Sequence, residues 1–186
     1  MKEKEQIDIY EIFENAIKDP DLLSPLDIDK LLQSLENEKN EYLANKTIKT
    51  IVEEVYDVIN EFDIPKEQKL SYCQRLSDFR FVNNINELHK GKYIQYIRVA
   101  NFKEGKENDV RLMNGGIVVN ILFTDYGTRI VLRTSNGKFY KLRFDDIYIF
   151  QKMKLNEQII LLAYGYLEKL ESGEPAVPPE TPSLKK

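Results

Sequence analysis

The spacing of apolar residues changes near residue 92, and this change separates a helical region from a stranded one. Up to that point apolar residues recur at intervals of three and four over 6–19, 26–62 and 66–79. Such spacing places them on one face of a helix, so each stretch predicts amphipathic helix. Polar residues interrupt the second stretch, and we expect a break or bend near 40–46. Residues 80–90 follow neither pattern and predict an irregular or short helical bridge.

From residue 92 apolar and polar positions alternate, which is the period of a half-buried strand. The predicted strands cover 92–100, 117–124, 128–134 and 138–144, with a short fifth at 147–150. Asn136-Gly137 lies between two alternating runs, the strongest short-range signal for a hairpin. Four or five short antiparallel strands predict a small β-barrel-like module, either an SH3-like or OB-like barrel or a curled sheet.

A C-terminal helix is predicted over 155–172, with an apolar surface wider than one stripe. Ile160, Leu161 and Tyr164 extend that surface, so we expect the β-module, a second copy or another protein to bury it. These three residues form the predicted protein interface. The tail that follows, 173–186, holds four of the seven prolines and is predicted to be disordered or polyproline-like.

Charge follows the same division of the chain. Residues 1–87 hold 20 Asp and Glu against 11 Lys and Arg, whereas residues 88–154 hold 13 Lys and Arg against 6 Asp and Glu. We therefore predict an α+β protein with an acidic helical region at 1–88 and a basic antiparallel β-module at 89–152. The C-terminal helix, 153–172, and the tail complete this organisation.

Composition excludes several protein classes. The charged N-terminus lacks the apolar run of a secretion signal, and no segment has the length of apolar sequence that spans a membrane. A single cysteine excludes an internal disulfide. The prediction is an intracellular protein of the cytoplasm, the nucleus or a virion.

Candidate chemistry is sparse. His89 and Cys73, the only residues of their kinds, lie far apart in sequence and supply neither a nucleophile–base pair nor a metal-ligand set. Gly115-Gly116 lacks the lysine of a phosphate-binding loop and predicts a turn. We therefore predict no catalytic residue, no metal, no cofactor and no small-molecule substrate.

The hairpin over 128–144 carries the most suggestive side chains. Its alternation places Arg129, Arg133, Lys141 and Arg143 on one sheet face, together with Phe139. Basic sheet faces with an exposed aromatic ring hold nucleic-acid backbone and stack a base. A solvated antiparallel sheet face shows the same alternation, so both interpretations stay open.

Three segments within residues 72–152 carry a recognisable pattern: YCQRLSDFRFVNNINELHKGKYIQYIRV, NGGIVVNI and FDDIYIFQK. This pattern resembles one found in small uncharacterised proteins of large nucleocytoplasmic DNA viruses. The resemblance implies a non-enzymatic viral component, packaged in the virion, and assigns no functional residue.

The functional prediction is a non-catalytic binding or scaffold protein that works through contacts with another protein or a second copy of itself. The alternative is a nucleic-acid-binding protein that uses the basic hairpin face. Salt separates the two, because binding to phosphates weakens steeply with salt whereas binding through an apolar interface does not.

Overall fold

The computed structural model describes residues 41–44, 46–98 and 110–172 of the chain. In this part of the chain three α-helices accompany one six-stranded antiparallel sheet, which confirms the predicted α+β class. The helices are α1 (Ile48–Asn60), α2 (Lys66–Arg75) and α3 (Leu155–Ser172). The strands are β1 (Phe79–Val82), β2 (Tyr93–Arg98), β3 (Met113–Thr124), β4 (Gly127–Arg133), β5 (Phe139–Arg143) and β6 (Ile147–Lys152). The helices predicted over the first 40 residues and the predicted tail lie outside the described residues.

The strands follow the order β1-β6-β2-β3-β4-β5. Every neighbouring pair is antiparallel, which confirms the antiparallel strands predicted between Lys92 and Phe144. Within the described residues β1 and β5 are the two edges, so the sheet is open. Of the two predicted forms, the described strands do not form the closed SH3-like or OB-like barrel. The predicted Asn136-Gly137 hairpin is present, and Gly137 has a φ of 79°.

The loop of this hairpin is one residue longer than a two-residue Asn-Gly turn. The backbone N–H of Gly137 donates to the Thr134 carbonyl at 3.0 Å, and the N–H of Thr134 donates to the Lys138 carbonyl at 2.9 Å. The loop therefore comprises the three residues from Ser135 to Gly137, and its last residue takes the left-handed conformation that glycine adopts without strain.

Strand β1 corrects the prediction of an irregular bridge at 80–90. Its register with β6 places Phe79 and Phe81 on one sheet face and Arg80 and Val82 on the other. Phe79, Arg80 and Val82 are all buried, so the strand lacks the alternation of exposed and buried positions by which strands are identified. Only residues 85–87 of the predicted bridge are helical, as one 3₁₀ turn.

The described residues belong to two compact units. Those up to 49 and from 154 onward form one unit, and those from 50 to 153 form the other. The larger unit contains α2, most of α1 and the whole sheet, and residues of both helices share one hydrophobic core with β1, β2 and β6. Residues on both sides of the predicted boundary between 88 and 89 therefore contribute to the same hydrophobic core.

The first core lies between the helices and one face of the sheet, here called the helix-side face. Aromatic contacts dominate it, since Phe62 packs edge-on against Tyr148 with ring centroids 5.1 Å apart, and Phe81 contacts both Tyr148 and Phe150. Tyr72 on α2 is also buried there and donates its hydroxyl hydrogen to the Val110 carbonyl at 2.9 Å. Leu70, although apolar and also on α2, is exposed.

The second core lies on the opposite face, here called the inner face, and draws on all six strands. Its members are Val82, Leu88, Ile94, Tyr96, Val118, Ile130, Leu132, Leu142 and Ile149. Ile130 and Leu132 alternate along β4 with Arg129 and Arg133, which lie on the opposite face. At one margin Arg80, only 2 % exposed, forms an ion pair with Glu87 at 3.3 Å. Gln151, also buried, accepts a hydrogen bond from the backbone N–H of His89 at 2.8 Å. The side chains of Arg80 and Gln151 thus bind the segment that precedes β2.

Gly115 and Gly116 lie inside β3 rather than in the predicted turn. A Cβ atom on Gly115 would lie 2.2 Å from the Ile94 carbonyl oxygen, and one on Gly116 would lie 2.4 Å from the Arg133 carbonyl oxygen. The two glycines therefore let β3 approach the backbones on both of its sides. The register of β3 shifts against each of its two partner strands. In the pairing with β2 the shift lies between Ile94 and Tyr96 of β2, and in the pairing with β4 it lies between Val118 and Asn120 of β3.

We expect Gly115→Ala to lower the free energy of unfolding by about 2 kcal/mol, because the added methyl group meets backbone that no rotamer change relieves. Gly165→Ala is the matched control. A Cβ there meets only Thr47 side-chain atoms at 3.7 Å, an ordinary contact, and alanine favours helix. Denaturant unfolding of both variants measures the difference, and equal stabilities would show that β3 relaxes freely.

Candidate binding surface on the sheet

The register of β4 and β5 brings the predicted basic side chains together. Arg129 lies opposite Arg143, Val131 opposite Lys141, and Arg133 opposite Phe139. Directly opposed residues project to the same side of a sheet, so all of these side chains share one face. They are exposed or half-buried, whereas the alternate residues belong to the second core. We call this surface, with Ile117 of β3 opposite Arg133, the basic face.

The basic face continues the helix-side face. Tyr93, which packs against the first core, lies opposite Ile117, which in turn lies opposite Arg133. The helices bury this side of β1, β6 and β2, but the same side of β3, β4 and β5 stays open to solvent. Ile117 is 47 % exposed and Phe139 is 63 % exposed as a result.

The electrostatics of the basic face are one-sided. Strands β3, β4 and β5 contain four basic residues and no acidic residue. Arg143 pairs with Asp146 at 3.8 Å, while Arg129, Arg133 and Lys141 form no ion pair with any described residue. Among the described residues, ion pairing of these four cations is therefore limited to one weak, exposed contact of Arg143, near which the Asp145 carboxylate also lies.

Arg129 and Arg143 are two like charges placed directly opposite each other. Like charges directly opposite each other on neighbouring strands destabilise a sheet. The buried Nε of Arg129 also has no hydrogen-bond acceptor among the described residues. An anionic group above this pair would relieve the repulsion, which makes the surface suited to a negatively charged partner.

On the other side of β5, Tyr140 projects toward the inner face beside Tyr96. Burial raises the pKa of the Tyr140 phenol to about 12, and the charge of Tyr96 and a hydrogen bond to it act in the same direction. Tyr140 therefore stays neutral at physiological pH. It presents a partly buried aromatic surface at the free edge of the sheet.

Two exposed aromatic residues lie elsewhere, at the hairpin between β3 and β4. Phe123 is 72 % exposed and Tyr126 is 80 % exposed, although the sequence pattern favoured aromatic burial in the β-module. Alternation along a strand indicates which face a side chain lies on, but not where the core ends. Both residues are exposed because the β3–β4 hairpin extends beyond the second core. They lie outside the set of side chains that the register brings together on the basic face.

The protein interface predicted on the C-terminal helix is largely buried in the chain itself. Ile160 and Leu161 are buried, and Tyr164 is half-buried. Of the three, Tyr164 is therefore the residue with side-chain surface open to another molecule. Within the same unit Tyr42 donates its hydroxyl hydrogen to Glu157 near the start of α3.

The described residues offer little to hold a metal ion or to act as a nucleophile. No group of three or more His, Cys, Asp or Glu side chains among them is placed to bind a metal. Burial raises the pKa of the Cys73 thiol, which lowers its thiolate fraction. No helix in the described part of the chain is long and apolar enough to cross a membrane.

Comparison with known proteins gives no relative from which a function transfers. The chain matches no protein-family model, no curated protein and no solved structure. The geometry of the basic face therefore carries the functional argument.

Tyr140 gives this edge of the sheet a measurable pH dependence. Its pKa is raised from 10.0 to about 12 in the folded protein, so its contribution to stability is complete below pH 10.0 and is lost as the pH rises toward 12. We expect the stability of the wild type to fall more steeply over this range than that of Tyr140→Phe. In a pH titration followed by tyrosinate absorbance, the variant should lack the absorbance increase that the wild type shows near pH 12. Identical pH profiles would contradict this placement of the phenol.

Proposed function

We propose that this is a non-catalytic binding protein whose basic face holds an acidic protein partner. The observation that carries the proposal is the four cations on one open sheet face without any acidic residue in its strands. Charge complementarity of this kind steers association and selects partners. The opposition of Arg129 and Arg143 supports the same conclusion, since Asp146 contacts only Arg143, whereas a bound anion above the pair would stabilise both side chains.

The apolar residues around these cations favour a protein partner over a nucleic acid. Ile117 and Phe139 are exposed on the basic face on either side of Arg133. Val131 is half-buried on the same face, and Val119 is exposed nearby in β3. Protein interfaces are enriched in aromatic residues and Arg, with apolar area at the centre. Phosphate backbones require cations but gain little from aliphatic side chains.

A single-stranded nucleic acid is the second candidate, because Phe139 lies directly opposite Arg133 with most of its ring exposed. Stacking of one base on such a ring contributes about 1–3 kcal/mol. The resemblance to proteins of large DNA viruses extends either proposal to an infected cell or to the virion. In both versions the protein binds and does not catalyse.

The test of the proposal is charge reversal on the basic face. We expect Arg133→Glu with Lys141→Glu to weaken binding of a fluorescent peptide of alternating Glu and Val residues by about tenfold or more. Fluorescence anisotropy at low and at physiological salt measures this, with labelled oligodeoxythymidine as a parallel probe. Added salt should weaken the wild type more than the variant, because fewer opposed charges remain to be screened.

The matched control reverses two exposed lysines outside the basic face, Lys66→Glu with Lys90→Glu. Net charge changes equally, so equal losses in both double variants would show nonspecific attraction and contradict the proposal. Binding of the oligonucleotide but not of the peptide would favour the second candidate instead. Phe139→Ala should then lose about 1–3 kcal/mol on the single strand.

A further inference from the structure

We propose that the free edge of β5 binds its partner by strand addition, and that the partner is an extended segment in which acidic and apolar residues alternate. The proposal rests on the proposed function and names the chemistry of the partner at the same surface. Strand β5 is an edge of the described sheet, paired only with β4. An unpaired edge presents a row of backbone donors and acceptors to which another chain can add.

The hairpin bonds identify which backbone groups are free. Thr134 donates to Lys138, and hydrogen-bonded pairs recur at every second position of an antiparallel ladder. In the observed register Tyr140 and Leu142 therefore direct their N–H and C=O groups toward β4. Phe139 and Lys141 direct theirs away from the sheet, and no described residue pairs with them.

The residues with free backbone groups are also those whose side chains lie on the basic face. A strand that adds antiparallel to β5 forms its own bonds through the residues opposite Phe139 and Lys141. Side chains of those partner residues project to the basic face beside Phe139 and Lys141, with Arg133 and Arg129 one strand farther away on β4. Acidic residues at these positions complement the charge of the surface.

The intervening partner residues project to the inner side of the sheet. There the edge presents Tyr140, which is partly buried against the second core, and Phe144, which follows β5. Apolar side chains at the intervening positions would extend that core. The alternation expected of the partner therefore follows from the two unlike faces of a single edge strand.

The same charges argue against a second copy of β5 as the occupant. Two copies paired through this edge would place Lys141 and Arg143 among the cations of the other copy, and like charges in such positions repel. Cationic side chains on an edge strand hinder self-pairing in this way. They leave the edge open to a strand of opposite charge.

The test blocks backbone hydrogen bonds of the partner without changing its charge. Two versions of the Glu–Val peptide carry N-methyl groups either on the amides of the Glu residues or on those of the Val residues. Glu amides point toward β5 in the proposed arrangement and Val amides point away. We expect Glu methylation to weaken binding to the full-length protein at least tenfold and Val methylation to leave it within about twofold.

A second measurement follows the backbone amides of β5 in the protein. Hydrogen exchange should slow at the Phe139 and Lys141 amides when the unmodified peptide binds, while Tyr140 and Leu142, already bonded to β4, should change little. No slowing at Phe139 and Lys141 would overturn the proposal, as would equal affinity of both methylated peptides.

The outcomes separate this inference from the proposed function. If both methylated peptides bind like the parent but charge reversal abolishes binding, the basic face holds acidic partners without strand addition. If Val methylation alone abolishes binding, the antiparallel arrangement is wrong. If the unmodified peptide fails to bind, the inference and the proposed function both fall.

Discussion

The close approach of β3 to the backbones on either side is the constraint on which the sheet depends. Gly115 and Gly116 lie where any side-chain carbon would meet the carbonyl oxygens of Ile94 or Arg133. Without them the central strand could not pair with β2 and β4 at the observed distances. The register shifts that accompany this approach determine which β3 residues lie opposite β4, and so place Ile117 beside Arg133.

Incomplete coverage of one sheet face connects the fold to its candidate function. Helices α1 and α2 bury the helix-side face over β1, β6 and β2, where aromatic rings from both layers pack together. Over β3, β4 and β5 the same face carries cations and exposed apolar side chains. A protein gains no stability from opposing Arg129 and Arg143. The exposed ion pair between Arg143 and Asp146 offsets only part of this repulsion.

Strand β5 joins two kinds of recognition in five residues. Phe139 and Lys141 present side chains on the basic face and backbone groups at the free edge, while Tyr140 and Leu142 complete the inner core and bond to β4. One strand thus offers charge on one side, apolar surface on the other and hydrogen bonds between them. The short length and positive charge of this edge also limit pairing between copies.

The sequence by itself determined the succession of antiparallel strands after residue 92 and the hairpin at Gly137. It also determined the shared parity of Arg129, Arg133, Lys141 and Arg143, because side-chain direction alternates strictly along a strand. It did not identify β1, where burial of both faces removes the alternation, nor the role of Gly115-Gly116, because a turn and a close approach both favour glycine. Tertiary structure alone decided that the sheet stays open, that two helices cover half of one face, and that β5 is an edge. These features depend on which strands meet across long separations in sequence, and local periodicity carries no information about such pairings.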